Sequence, residues 1–136
     1  GHFKYQNIVY EKVLSKLRSN PDDIESLWTL SLLKILSNRP YEADTYLKDL
    51  EFLLPNNPWP SAYRSVVNLA SWNPWKASQI AEKANKKHQS YFLGALADIS
   101  AFSGGAFWRL NSAMKSVPNA INEVDKILET VEKINR

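Results

Sequence analysis

The chain has no cysteine among its 136 residues, which excludes disulfides, thiolate nucleophiles and thiolate metal sites together. The same absence leaves the compartment undetermined, because cysteine-free proteins occur under both reducing and oxidising conditions. No apolar run reaches the roughly eighteen residues that a membrane-crossing helix needs, so no span is expected. Nor does the N-terminus show a charged start followed by an apolar middle, as a secretory leader would. The opening Gly1-His2 resembles a tag-cleavage scar, so a leader or anchor could have preceded it; localisation stays open, with the cytoplasm as the default. No segment shows the strict apolar and polar alternation of a half-buried strand, and the expected fold class is therefore all-α.

Charge of either sign is modest. Seventeen Lys and Arg against fourteen Asp and Glu give a net +3, well short of the dense basic stripe of a phosphate-backbone binder. The densest basic cluster, Lys83, Lys86, Lys87 and His88, reads as a solvated helix end, where cations complement the negative pole of the helix dipole. Aromatic residues are concentrated at Trp59, Tyr63, Trp72, Trp75, Tyr91, Phe92, Phe102, Phe107 and Trp108, but only Arg64, Lys76 and Arg109 are interleaved with them. That mixture argues against RNA as the main ligand.

Catalytic groups are sparse. His88 is the only histidine outside the apparent scar, and its neighbours Lys87 and Gln89 make it a helix-end residue rather than one of a ligand set. Asp22-Asp23 reads as a helix cap and Glu129 with Glu132 as a solvated face. Gly104-Gly105 lacks the lysine and flanking strand of a phosphate loop. The sequence predicts no enzyme, no cofactor, no metal and no small-molecule substrate.

Helices are expected at about 5–18, 22–36, 40–54, 61–71, 75–87, 90–102, 106–116 and 120–134, with short breaks at Asn20-Pro21, Asn38-Arg39-Pro40, Pro55 to Pro60, Trp72-Asn73-Pro74, Gly104-Gly105 and Pro118. The second is apolar on nearly every side, through Leu27, Trp28, Leu30, Leu32, Leu33, Ile35 and Leu36, which predicts burial between two neighbours. The last carries one apolar stripe, Ile121, Val124, Leu128, Val131 and Ile134, predicted to pack while its other face meets water.

An internal repeat organises these helices. Pro40, Tyr41, Ala43, Leu47 and Leu50 are matched 34 residues on by Pro74, Trp75, Ala77, Ala81 and Ala84, and Ser31 by Ser65. A third unit fits a period of 32, with Phe107, Ala97 and Ala113 matching Trp75, Ser65 and Ala81. The pattern from Asn20 to Pro118 resembles the tetratricopeptide-repeat family. Leu27 and Ser31 stand at its first-helix positions, Ala43, Leu47 and Leu50 at its second-helix positions, and Pro55 at the close of the unit. Ser31, Ala43, Ser65, Ala77, Ala81 and Ala84 supply the small side chains where helices approach closely.

The resemblance implies a right-handed α-α superhelix of about three helical hairpins with extra terminal helices. Residues 1–2 are then the scar and 3–136 one helical-repeat domain, with units at about 22–57, 58–89 and 90–118 and a capping helix at 119–135. It also implies an adaptor or scaffold whose concave groove takes a peptide or an amphipathic helix of a protein partner. The partner-binding residues in that register are Trp28, Leu32, Trp59, Val66, Tyr91, Asp98 and Phe102, with Glu25 and Asp98 as the only charges of the groove. The family's carboxylate clamp needs Lys, Asn and Arg at several of these places, and this chain lacks them, which argues against a receptor for a chain terminus. Three alternatives stand beside that reading. Trp28, Trp59 and Phe102 serve packing, or the groove is self-occupied and acts by self-association, or the repeat binds RNA.

Overall fold

In the computed structural model the described residues are 2–135, with side chains from residue 7 onward. Gly1 therefore lies outside them, as does the side chain of His2. Among the described residues the chain forms seven α-helices and no strand: α1 (His2–Ser19), α2 (Ile24–Leu36), α3 (Pro40–Leu53), α4 (Trp59–Ala70), α5 (Pro74–His88), α6 (Tyr91–Ser103) and α7 (Leu110–Ile134). A single 3-10 turn, Phe107–Arg109, precedes α7.

Local chemistry explains most of the boundaries. The Asp23 side chain caps α2, accepting from the Ser26 amide at 3.1 Å and from the Ser26 hydroxyl. Pro40 and Pro74 open α3 and α5 at the first position, where a missing N–H costs nothing. Lys86, Lys87 and His88 fill the last turn of α5, and Gln89 closes it in the left-handed region.

Three helices end alike. α2, α4 and α6 are each followed by a left-handed residue, Asn38 (φ 60°), Trp72 (φ 62°) and Gly105 (φ 105°). Beyond each, the next amide donates back across the turn at 2.9 Å: Arg39 to the Lys34 carbonyl, Asn73 to Asn68 and Ala106 to Ala101. The spacing of these closures is 34 and then 33 residues, not the 32 expected for the third unit. Asp98 thereby takes the place of the buried Ser65, and Phe92, not Tyr91, takes the place of Trp59.

Every helix packs on its neighbour in sequence, and α4 also touches α6. The expected small contact residues, Ser31, Ala43, Ser65, Ala77, Ala81 and Ala84, are all buried. Two hydroxyls are satisfied across the resulting close approaches. Ser65 donates to the Ala77 carbonyl at 2.8 Å, and Ser78 to the Ala97 carbonyl at 2.9 Å. The larger core cluster joins Leu27, Ala43, Leu47, Leu50 and Val67, and a second joins Ala62, Ala84 and Leu93. Each fully buried leucine contributes about 2 kcal/mol of transfer free energy.

Three expectations are corrected. Pro118 does not end a helix but lies inside α7. Pro118 and Met114 are both exposed, so water can reach the Met114 carbonyl that proline leaves without its helical donor. α2 is not enclosed on all sides, since Leu32 and Leu36 face solvent. The α7 stripe is also largely open: Val124 is half-buried, whereas Ile121, Leu128, Val131 and Ile134 are exposed, the last three because α7 runs on past the N-terminus of α6, its main packing partner.

Candidate interaction face

α2, α4 and α6 present one row of equivalent apolar positions. Leu32 is 44% exposed, Val66 42% and Ile99 40%, each six residues ahead of the left-handed residue that closes its helix. Aromatic rings link the row. Trp28 meets Tyr63 edge to face with centroids 5.5 Å apart, Tyr63 lies 6.5 Å from Trp59, and Trp59 lies 6.0 Å from Phe92. The chain of rings thus crosses from α2 over α4 to α6.

α7 borders the α6 end of this face. Phe92, Ala95, Leu96 and Ile99 of α6 and Val117, Ala120, Ile121 and Val124 of α7 line an apolar groove of about 260 Å³. A second, of about 220 Å³, lies between Trp59, Ala62, His88 and Phe92 on one side and Val124 and Ile127 on the other. Glu123 fixes this edge. Its carboxylate accepts from the Ser90 hydroxyl at 2.6 Å and from the Tyr91 amide at 2.7 Å, so an α7 residue caps the N-terminus of α6.

Of the expected partner-binding residues, Trp28, Leu32, Trp59 and Val66 are brought together on this face. Trp28 is half-buried and also packs against the core. The remaining three lie elsewhere. Tyr91 and Asp98 point to the opposite side of α6, into a polar cavity of about 660 Å³ that they share with Glu82, Arg109, Ser112 and Ser116. Asp98 is 5% exposed and saturated: Arg109 donates twice at 2.9 Å, Ser112 at 2.8 Å and Ser116 at 2.9 Å. Its charge is spent on tying α6 to α7, and it is no groove charge. Phe102 packs edge to face on Phe107 at 5.6 Å, half-buried at the end of its helix.

Tyr63, Phe92, Leu96, Ile99 and the α7 residues also lie along this face and were not among the residues expected there. A signal for Phe92, Leu96 and Ile99 existed: aligning Gly105 with Asn38 and Trp72 gives the third unit its period of 33, and these three then fall in register with Trp59, Tyr63 and Val66.

A second ionic cluster joins helices in the same way. Arg64 bridges α3 and α4, donating to Asp44 at 2.9 Å and to Glu51 at 2.6 Å, while Asn68 donates to Asp44 at 3.0 Å and Ser61 to Glu51 at 2.6 Å. Burial pushes the Asp44 carboxyl up, but Arg64, Asn68 and Lys76 together hold it below its ordinary value. Burial likewise opposes the charge on Arg109, and the carboxylates of Glu82 and Asp98 outweigh it, raising the guanidinium's pKa. Among the described residues no group of three or more His, Cys, Asp or Glu is placed to hold a metal ion, and no helix is long and apolar enough to cross a membrane.

Comparison with family models, with curated proteins and with solved structures found no match.

Proposed function

We propose that this chain is a non-enzymatic protein-interaction domain with a tetratricopeptide-like superhelical arrangement of its hairpins, and that it holds an amphipathic helix of a partner protein along the face of α2, α4 and α6. The observation that carries this reading is the row Leu32, Val66 and Ile99. Three apolar side chains at equivalent positions of three successive units remain about equally open to solvent, although Ser31, Ser65, Val67, Asp98 and Ser100 beside them are buried. A helix laid across such a row gains apolar burial at regular steps. The row itself carries no charge, Asp98 is turned away and neutralised, and the exposed Glu25 lies in the first turn of α2, seven residues before Leu32, so an apolar contact is favoured over an ionic one.

Catalysis gains no support from the ionic groups, since Asp44, Glu51, Arg64, Asp98 and Arg109 are each engaged in joining helices. The test is fluorescence polarisation with a labelled amphipathic peptide carrying leucines at helical spacing, beside a scrambled peptide of equal composition. The expected result is preference for the patterned peptide, lost in Val66→Glu with helicity retained. Equal binding of both peptides, or unchanged binding by Val66→Glu, refutes the reading.

A second reading rests on the open stripe of α7. Leu128, Val131 and Ile134 continue the apolar face that α7 already packs on α6, so a second copy of the chain is an alternative source of the docked helix. Sedimentation of the wild type and Val131→Glu separates the two: a dimer that Val131→Glu dissociates supports self-association, and a monomer throughout removes it.

A further inference from the structure

The turns that close α2, α4 and α6 all lie at one end of the helices, and they form a second apolar surface distinct from the face just described. Their order along this edge follows from contacts. Tyr41 shares a cleft with Ser71 and Asn73 of the second turn, and the Trp75 indole lies against Gly104 of the third. The edge therefore carries Tyr41, Trp72, Trp75, Phe107 and Trp108, all exposed.

Trp72 is the informative member. At the equivalent left-handed position the first turn uses Asn38 and the third Gly105, residue types that tolerate positive φ, whereas the second uses tryptophan at φ 62°. That conformation is strained for a bulky side chain, and the fold recovers nothing from it, because Trp72 is 92% exposed. A strained, unpacked tryptophan at a turn tip points to a use outside the fold.

Charge narrows the partner. Residues 36–41, 70–76 and 103–111 contain no Asp or Glu, while each stretch contains one basic residue, Arg39, Lys76 or Arg109. The nearest acids are neutralised within the protein: Glu42 by Lys34 at 2.7 Å, and Asp44 by Arg64. Arg109 is itself engaged by Asp98 and Glu82, and Lys76 lies 3.8 Å from Asp44, so the free positive charge comes chiefly from the exposed Arg39, with Lys76 contributing only in part. Tryptophan, tyrosine and phenylalanine on separate projecting tips, next to basic and not acidic groups, match the interfacial layer of a bilayer with anionic headgroups. A protein partner would need a matching row of pockets, whereas lipid accommodates single projecting rings.

We propose that this edge docks on an anionic membrane surface, with Trp72, Phe107 and Trp108 entering the headgroup layer and Arg39 and Lys76 pairing with lipid phosphates. It leaves the face of α2, α4 and α6 free and does not depend on what that face binds.

The experiment is flotation of the intact chain with vesicles of phosphatidylcholine alone and of phosphatidylcholine containing about 30% phosphatidylserine. Trp72→Gly, Trp108→Ser and Val66→Glu are run in parallel, with circular dichroism to verify folding. Flotation is expected with the anionic vesicles only, weakened about five-fold or more by Trp72→Gly and by Trp108→Ser and unaffected by Val66→Glu. Because glycine suits a left-handed residue, a loss in Trp72→Gly does not come from misfolding. No flotation of the wild type, or unchanged flotation of both tryptophan variants, overturns the proposal. So does loss in Val66→Glu alone, which would move the lipid contact to the other face. Binding to a single-stranded oligonucleotide without binding to vesicles would assign the same edge to base stacking and overturn it as well.

Discussion

The Trp75 indole lies so close to the backbone of Gly104 that a Cβ at residue 104 would meet Trp75 Nε1 at 2.8 Å and Cε2 at 3.0 Å. Gly104 has φ −84°, so alanine is allowed there by the backbone and excluded only by the ring. Gly104→Ala is expected to cost about 1–2 kcal/mol by displacing the indole that joins the second turn to the third. In a Trp75→Ala background the same substitution should be neutral or slightly stabilising. A double-mutant cycle by urea unfolding checks this, and additive costs would show that the two residues are uncoupled.

Asp98 gathers donors from three residues of the following segment, so its loss should loosen α7 first. Asp98→Ala takes this acceptor from two serine hydroxyls and leaves the Arg109 guanidinium with Glu82 alone, and is expected to cost about 3–5 kcal/mol. Hydrogen exchange should then quicken in α7 before it does so in α3 and α4. A uniform loss of protection would mean that α7 is no separate cooperative unit.

The sequence made the helix starts legible where proline stands at the first helical position, as at Pro40 and Pro74, and made the small contacts legible at Ser31, Ala43, Ser65, Ala77, Ala81 and Ala84. Those features are local, so short-range chemistry decides them. Pro118 misled because its effect depends on whether the freed carbonyl meets solvent, which is a tertiary property. The third unit misled because its signal, a left-handed closure, is satisfied by Asn38, Trp72 and Gly105 alike, and tryptophan does not advertise that conformation. Tyr91 and Asp98 stand off the row of Leu32, Val66 and Ile99 through that slip of one position, since one step on a helix turns a side chain by about 100°. The open face itself was partly legible, through Leu32, Trp59 and Val66.

Asp44 predicts how stability responds to acid. Its carboxyl is held below the ordinary 3.8 in the folded chain, so the folded state binds fewer protons than the unfolded state as the pH falls. Its contribution is fully present above about pH 4 and is lost as the pH drops through the folded value. Asp44→Asn should lower stability at neutral pH and flatten the acid limb of a plot of urea midpoint against pH. An acid limb identical to that of the wild type would show that other carboxylates control it.

Ala77 and Trp59 should separate packing from surface. Ala77 is fully buried and its carbonyl accepts from Ser65, so Ala77→Leu forces α4 and α5 apart and is expected to cost about 3 kcal/mol or more. Trp59→Ala removes a ring that is partly exposed and touches Tyr63 and Phe92, at an expected cost of about 1 kcal/mol with helicity nearly intact. It should weaken binding of the patterned peptide. Equal loss of helicity in the two variants would defeat the distinction.

Trp72 offers a substitution with opposite signs in two assays. Replacing it with glycine removes the strain of a left-handed tryptophan and forfeits almost no packing, so Trp72→Gly is expected to gain about 0.5–1 kcal/mol of stability even after the extra freedom of glycine in the unfolded chain is counted. Trp72→Asn, matching the residue of the first turn, should gain about as much with less unfolded-state entropy. Thermal unfolding of the three proteins measures the gain. If both variants proved less stable than the wild type, the indole would be contributing to the fold, and the argument that its exposure reflects an external contact would fail with it.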